Sequence, residues 1–573
     1  MAKFKTPEEK EAYWHSSSHI MADAVKRLFP KVKLAIGPAI DEGFYYDFDK
    51  EGGFTADDLA EIEKEIARII KEKLDFKQVF KTRAEAKKIL KDEPYKLELL
   101  NELEDEKISF FEHGKYMDMC IGPHVKNTGE IGVVKLLNTA DAYWRGDSKR
   151  PILHRIYGIS FPDKKLLDAY FRQKEEIAKR DHRKLGVALD LFSFHNDAPG
   201  MPFFHSKGMV IWNELIKLWR TEQAKQNYQE VKTPLILNKK LWLQSGHWDH
   251  YRENMYFTKI DEQEFAVKPM NCPGGILIFK SKAHSYRELP IKSAELGIVH
   301  RHELSGVLSG LLRVRSFTQD DAHIYCTEDQ IEDEVLNVIE LDKKIYSTFG
   351  FEYHVELSTR PENSMGAKEQ WDKAEKMLEN ALKRAKLKYK INPGDGAFYG
   401  PKIDFHLMDA IGRTWQCGTI QLDFQMPEKF DLEYIGEDGK HHRPTMLHRT
   451  LFGSLERFIG ILVEHYAGAF PLWFSPVQVA ILTFTDRNKD FAEKVAKQLR
   501  EEGIRIETDY RSATVQAKIR DAEVSKINYI VVIGDKEEEK STLAVRPRGQ
   551  KPKFGVKLED FISDLKKEID DKK

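Results

Sequence analysis

The chain has 573 residues, which at ~150 residues per domain sets a prior of about four domains. Hydrophobic residues make up 41% and charged residues 32%, a globular composition that excludes a disordered or collagen-like chain. Its 91 basic and 93 acidic residues leave a net charge of -2, which excludes an evenly basic polycation but not local basic patches on a nucleic-acid binder. Four cysteines are too few to staple a secreted scaffold and point to a reducing compartment. The first residues, MAKFKTPEEKEAYW, have no apolar core and carry Glu8, Glu9 and Glu11, unlike a signal peptide. No stretch approaches ~18 uninterrupted apolar residues. The expectation is a soluble, cytoplasmic, multidomain chain without a membrane span.

From His15 to Phe29 apolar residues recur at Ile20, Ala24 and Leu28, beside Met21 and Val25, the spacing of an amphipathic helix. Thr55 followed by Asp58 reads as a capping box opening a helix with Leu59, Ile62, Ile66 and Ile69 on one face. Tyr116 to Val125 reads as a strand entering a turn at Gly122-Pro123. Asp163 to Leu185 reads as a charged connecting helix stopped by Gly186. Further on, Ile391 to Phe405 and Thr414 to Phe424 read as neighbouring strands around a turn near Asp409 to Gly412. After Pro471 and Pro476 short apolar runs alternate with helices: strand Val477 to Phe484, helix Phe491 to Leu499, strand Ile504 to Glu507, helix Thr514 to Val524, strand Tyr529 to Ile533. That alternation predicts a small α/β domain over a parallel-rich sheet.

His15 and His19 lie four apart on a predicted helix, so both imidazoles leave one face. Cys120 and His124 repeat the spacing across a turn. Together they supply four nitrogen or sulfur donors, either a ligand or catalytic set or two half-buried histidines with a core cysteine. Cys272, His323 and His448 lie far apart, and spacing gives no reason to group them. Arg301 to Arg315, interleaved with Gly306 and Gly310 and feeding the alternating run Phe317-Thr318-Gln319-Asp320, reads as a hairpin presenting arginines, whose planar forks suit phosphate. There is neither a P-loop nor a dinucleotide fingerprint.

Seven segments in order, HSSSHIMADAVKRLFP, YMDMCIGPHV, KPMNCPG, RVRSFTQDDAHIYC, GAFYGPKIDF, WQCGTIQLDF and HRTLFGSLERF, resemble the class II aminoacyl-tRNA synthetases and, among them, the threonyl family. The resemblance covers the whole chain. It implies an α+β multidomain chain with an α/β editing domain over residues 1–162, a connecting helix over 163–186, a class II catalytic core over 187–474 and an α/β anticodon-binding domain over 475–573. The core is expected as six or seven antiparallel strands flanked by helices.

The helix Met209 to Gln226, running on to Pro234, resembles motif 1 and implies a homodimer. Arg301-His302-Glu303 with Arg313 and Phe317 resembles motif 2: Arg301 on the α-phosphate of ATP, Glu303 on the adenine amino group, Phe317 against the ring. Gly453, Glu456 and Arg457 resemble motif 3, with Arg457 on the other face of ATP. Fixed cations suit the charge that builds at phosphorus. Magnesium is implied with ATP. Cys272, His323 and His448 match three zinc ligands of a threonine pocket, which leaves an open position for the substrate's amino group and hydroxyl. Asp321 matches the acceptor of that hydroxyl, Met270, Tyr399 and Gln421 line the pocket, and Lys402 and Gln416 match further site positions. His247 matches a histidine assisting transfer to tRNA, the alternative being a surface histidine beside Trp248.

In the first domain His15, His19, Cys120 and His124 form the expected editing core, with Tyr46, Lys96 and Asp118 as companions. Arg546, Arg548, Lys551, Lys553 and Lys557, a run without an acid, mark the expected tRNA backbone contact. Two departures stand out: Gly275 follows MNCPG where the family usually has His, and the chain starts without the small ubiquitin-like domain of many relatives. The expected activity is ATP-dependent attachment of threonine to its tRNA through an adenylate, with hydrolysis of mischarged seryl-tRNA. The alternative is a synthetase-like RNA-binding or regulatory protein without catalysis, which loss of Arg301, Arg313 or Arg457 would signal; all three are present.

Overall fold

A computed structural model of the chain describes residue 4 and residues 6–572. It divides into two compact units, Met1–Glu176 and Ile177–Lys573.

In the first unit Thr6 caps helix Pro7–Leu28 by accepting from the Glu9 amide, and Glu8 and Glu9 sit in its first turn, where the helix dipole favours acids. Ile20, Met21, Ala24 and Val25 are buried with Phe44 and Phe48 of strand Gly43–Asp49. That strand pairs with Ile152–Phe161, which pairs in turn with Val133–Tyr143, all antiparallel. The expected capping box is present: Thr55 accepts from the Asp58 amide, and Asp58 accepts back from Thr55. The helix it starts, Ala56–Glu72, buries Ile62, Ile66 and Ile69. A second antiparallel sheet joins Lys77–Thr82, Lys107–His113 and Tyr116–Met119, after which the chain turns through Cys120.

The second unit is built on an eight-stranded sheet. Its centre is antiparallel: Ile291–His300, Ser316–Cys326, Thr445–Thr450, Thr414–Asp423, Lys402–Met408 and Glu352–Ser358. Two short edge strands, Gln229–Glu230 and Tyr389–Asn392, join in parallel, so the sheet exceeds the six or seven strands expected. Period-two alternation sorts the faces. Ala322, Ile324, Ile403, Phe405, Ile420, Leu422 and Leu447 enter one core with helices Ile331–Thr348, Lys368–Arg384 and Leu455–His465. The residues between them, among them Asp321, His323, Lys402, Asp404, Thr419, Gln421 and His448, take the opposite face. Further along the chain, Ile506–Asp509, Val479–Thr483 and Tyr529–Ile533 run parallel, with Leu543–Pro547 and Lys553–Val556 added antiparallel. The three parallel strands are those expected, and the two antiparallel ones make the sheet mixed.

Two readings need correction. The run from Ile391 to Phe405 is not one strand. Strand Tyr389–Asn392 ends in a Gly-rich loop that carries Tyr399, and Lys402–Met408 begins a separate strand. Gly186 does not stop the connecting helix either. Helix Lys164–Arg180 ends at Asp181, whose side chain accepts from the Arg183 amide and starts a second helix, His182–Ala188. Gly186 lies buried inside it because a Cβ there would sit 2.3 Å from Cε1 of Phe192.

Helix propensity alone would make Gly186→Ala stabilising by about 1 kcal/mol. Overpacking against Phe192 should reverse the sign at a cost of about 1–3 kcal/mol. The thermal midpoint of the second unit should therefore fall by a few degrees. A rise would show that the Phe192 ring yields freely.

Candidate active site

The polar face of the eight-stranded sheet floors a cleft of about 580 Å³ lined by Arg301, Glu303, Arg313, Phe317, Asp321 and Arg457, with Cys272 and His448 at depth. His323 and His448 are register partners on adjacent strands, with rings 5.0 Å apart. Cys272 reaches them from the first turn of helix Cys272–Lys280. All three are buried, and their donor atoms lie within 4.8 Å of one another. The Nε2 of His448 meets Oδ2 of Asp423 at 2.9 Å, which fixes that ring. The Nε2 of His323 is buried with no hydrogen-bond partner. Burial, reinforced by Asp321 and Asp423, pushes the Cys272 thiol far above its usual range. Burial holds the His323 imidazole well below its own. An orphaned nitrogen beside a sulfur and a second imidazole fits a zinc-class cation, which would restore the thiolate. Gly275 packs on this set: a Cβ there would stand 3.2 Å from Nδ1 of His323, so a side chain would require that ring to give.

Above the donors, Arg301 is held by the Pro269 carbonyl at 3.2 Å and lies 5.0 Å over the Phe317 ring. Arg313 pairs with Glu303 at 2.9 Å. Arg457 opens helix Leu455–His465, with its amide on the Ser454 hydroxyl and its Nε buried without a partner. Glu456 does not face the cleft; it accepts from the Thr318 amide at 2.8 Å, and burial pushes it up to about 7. It ties that helix to strand Ser316–Cys326. Gly453 lines the cleft with φ at +78°. Tyr399 packs 5.2 Å from His448, and Gln421 donates to the Gly400 carbonyl at 3.2 Å. Met270 and Gln416 also line the cleft.

Lys402 stands apart from that lining. It is held by Asp404 at 2.6 Å and Asp395 at 3.0 Å. His247 is not a surface residue: it is fully buried, 2.8 Å from Ser245 Oγ and 3.1 Å from Met270 Sδ. Burial first, then His448 and Arg301, holds its imidazole down at about 3. Sequence reading missed Thr419, Thr450 and Gln319 on the floor. Alternation in WQCGTIQLDF and SFTQDD carried that signal for Thr419 and Gln319.

The first unit holds a second constellation. Cys120 Sγ lies 3.4 Å from Nε2 of His15 and 3.3 Å from Nε2 of His124, and His19 stacks edge-on 4.6 Å from His124. Ser16 Oγ bonds Nδ1 of His124 at 3.0 Å. Asp118 is buried beside them, bonded by Tyr46 at 2.7 Å and Tyr116 at 3.1 Å, ion-paired to Lys96, and 3.8 Å from His19. Burial drives every member of the set toward its neutral form: His124 down to about 2, His19 well below its usual range, the Cys120 thiol up to about 11. All seven residues expected here therefore converge, as neutral imidazoles and thiol around one buried carboxylate.

Of the basic run near the C-terminus, Arg548 is engaged, donating to the carbonyls of Lys526, Ala469 and Phe470. Lys551, Lys553 and Lys557 are exposed, as is Phe554 at 74%.

The second unit thus presents an antiparallel sheet with arginines and a stacked phenylalanine over a polar floor. Residues 256–466 match the tRNA synthetase class II core domain (G, H, P, S and T), and residues 478–568 the anticodon binding domain. Residues 108–157 match the threonyl and alanyl tRNA synthetase second additional domain. The second unit therefore contains a class II aminoacyl-tRNA synthetase core. Threonine–tRNA ligase of Caldanaerobacter subterraneus subsp. tengcongensis is 58% identical over 99% of this chain and 88% of its own length. That of Acetivibrio thermocellus is 59% identical over 98% and 89%. The solved RNA binding domain of threonyl-tRNA synthetase from Cryptosporidium parvum Iowa II superposes with a TM-score of 0.66 at 42% identity, over 68% of this chain and 98% of that one. This chain belongs to the threonine–tRNA ligase family.

A histidine whose folded pKa lies near 3 instead of about 6.5 binds no proton where the unfolded chain does. Its contribution to stability is present above pH 6.5 and is lost as pH falls. Between pH 6.5 and 4, His247 should cost the fold about 1.4 kcal/mol per pH unit. Urea midpoints of the parent and a His247→Asn chain should diverge in slope over that window, the parent falling faster. Parallel slopes would show that His247 takes up a proton in the folded state.

Proposed function

We infer that this chain attaches threonine to tRNA at the expense of ATP, through a threonyl-adenylate, and hydrolyses seryl-tRNA made in error. The observation that carries the reading is the juxtaposition in one cleft of Arg301 and Arg457 with the buried donors Cys272, His323 and His448. ATP enters with magnesium. In our proposal Arg301 binds the α-phosphate, Phe317 stacks on adenine, Glu303 accepts from its amino group, and Arg313 and Arg457 hold the remaining phosphates. Arg301 is already oriented by the Pro269 carbonyl and Arg457 by its place on a helix, so little reorganisation is needed as charge builds. All the motif arginines are present, so the reading without catalysis has no support.

Cys272, His323 and His448 would hold zinc, which supplies a Lewis acid for the amino group and hydroxyl of threonine. Asp321 is placed to accept from that hydroxyl, with Tyr399, Met270, Gln416 and Gln421 closing the pocket. Lys402 acts in this proposal by holding Asp404, which orients Gln416 at 2.6 Å. His247 serves transfer to the terminal adenosine through its ring position beside Met270, since burial leaves it a weak base.

We place the editing domain in residues 1–162, the connecting helices in 163–186, the catalytic core in 187–474 and the anticodon-binding domain in 475–573. Lys551, Lys553 and Lys557 suit RNA phosphates, and exposed Phe554 offers a stacking face for an unpaired base. A homodimer through helix Ser206–Ala224 is supported by the free side of edge strand Gln229–Glu230, which follows it at one end of the sheet.

The zinc proposal predicts about one tightly held zinc per chain. Cys272→Ala should lose that metal and slow threonine-dependent pyrophosphate exchange by more than about 100-fold. Metal analysis alongside exchange assays decides it, and full activity in a zinc-free Cys272→Ala chain would overturn the assignment.

Serine differs from threonine by one methyl, worth roughly 1–3 kcal/mol or about 10–200-fold in a binding pocket. That is too little for translation. We therefore assign hydrolysis to His15, His19, Cys120 and His124, with Asp118, Lys96 and Tyr46 holding His19 and the ester. Cys120→Ala and His15→Ala should charge threonine normally and accumulate seryl-tRNA. Clearance of seryl-tRNA at the parent's rate in both would falsify the editing role.

A further inference from the structure

The polar face of the core sheet continues beyond the cleft to strand Glu352–Ser358. Antiparallel register sets His354 directly opposite His406 on strand Lys402–Met408, and Glu356 opposite Asp404. His354 and Glu356 are two residues apart, so both leave the same face as His406. The two imidazoles stack with centroids 4.8 Å apart and planes 8° from parallel. They converge on the two oxygens of one carboxylate: His354 Nε2 lies 3.4 Å from Oε1 of Glu356, and His406 Nε2 lies 3.5 Å from Oε2. Those separations exceed the ~2.9 Å of a good N–H···O bond. They match the ~3.3 Å between neighbouring donors around a tetrahedral ion with bonds of about 2.0–2.1 Å. The three donors lie within 4.8 Å of one another.

The surroundings separate this set from an ordinary ion-pair cluster. Asn392 Nδ2 donates to Oε2 of Glu356 at 3.2 Å and orients the carboxylate, as the partners of metal ligands do. Asp404, next along the face, is already filled by Lys402, Ser358, Gln416 and Thr419, so it neither competes for the imidazoles nor joins the set. All three side chains are half-buried, His354 the most open at 40%, which leaves solvent free to complete the coordination. The contrast is the cluster of Asp181, His182 and Glu464. There His182 spends Nδ1 on Glu464 at 2.6 Å and Nε2 on the Leu311 amide at 2.9 Å, so no donor remains for an ion.

We propose that His354, Glu356 and His406 form a further metal site, separate from the threonine cleft, that takes a divalent transition ion of the zinc class and cross-links the two strands. Two imidazoles with one carboxylate suit zinc, cobalt or nickel and are too rich in nitrogen for magnesium or calcium. An ion there would pin strand Lys402–Met408 on the face, and four residues along the strand, from Lys402.

Cobalt titration of the full-length protein, purified with its tightly bound metal in place, tests the proposal. Cobalt bound by nitrogen and oxygen gives weak visible bands without the intense near-ultraviolet band of a sulfur ligand, so Cys120 or Cys272 cannot mimic it. The parent should take up one equivalent with that signature. His406→Ala and Glu356→Gln should weaken it by at least about tenfold. His354→Phe should do the same while keeping an aromatic ring in the cross-strand pair, so that folding is preserved. Threonine-dependent pyrophosphate exchange at the parent's rate confirms that each variant is folded. The proposal is overturned if the parent binds no such equivalent at millimolar cobalt, or if the folded His354→Phe chain binds it as the parent does.

Discussion

The second unit depends on one constraint: side chains of a strand alternate between two faces, and antiparallel register decides which of them meet. His323 stands opposite His448 because strands Ser316–Cys326 and Thr445–Thr450 pair in that register and no other. A slip of one residue would turn one of the two strands over, putting either His323 or His448 into the apolar core and exposing Ala322 and Ile324, or Leu447, in its place. The burial of that apolar face therefore holds the polar face in place. Gln421 and Asp423, on the strand paired with His448, arrive by the same arithmetic. So do His354 and His406 farther along the sheet. Glu456 extends the constraint to the helix that carries Arg457, since its carboxylate takes the Thr318 amide that the sheet leaves free.

Burial then sets the charge state of what the sheet assembles. In the cleft it disfavours both the Cys272 thiolate and an imidazolium at His323, while Asp321 and Asp423 place negative charge close by. A divalent cation would stabilise the thiolate, bind the neutral imidazole and offset both carboxylates. The set in the first unit differs. Its one carboxylate, Asp118, already has a cation in Lys96 and hydroxyls from Tyr46 and Tyr116. Lys96 adds to the forces keeping His19 neutral. The set therefore lacks the unpaired carboxylates found beside Cys272, and its buried imidazoles, like that of His247, are weak bases suited to orienting a bound group.

How much of this was legible depended on the distance over which each signal acts. His15 with His19, Cys120 with His124, and Thr55 with Asp58 are within one turn of each other, and local spacing placed all three pairs correctly. Cys272, His323 and His448 meet only through strand pairing and the docking of a helix, so their grouping came from resemblance alone. Gly186 was misread because a helix stop and a close packing contact both favour glycine; only the position of Phe192 distinguishes them. Arg548 shows a similar ambiguity: a guanidinium serves carbonyls as well as phosphates, and three carbonyls hold it here. The burial of His247 had no local signature at all.

The chemistry also explains why two constellations are needed. Forming an adenylate wants fixed cations where charge develops and a pocket that keeps water from the activated acid. Hydrolysing an ester wants the reverse: an admitted water, a proton acceptor, and no cation that stabilises the adenylate. The cleft has Arg301, Arg313 and Arg457. Around Cys120 the close groups are imidazoles, a serine and a glycine amide. One pocket tuned between these demands would synthesise slowly and edit poorly. The methyl that separates serine from threonine adds a second conflict, because a site that accepts the larger substrate cannot exclude the smaller by size. Only a second site, tight enough to refuse the extra methyl, sorts them in the opposite direction. The editing site we propose therefore needs rigid walls, which the buried bonds from Tyr46, Tyr116 and Lys96 to Asp118 would supply beside His19.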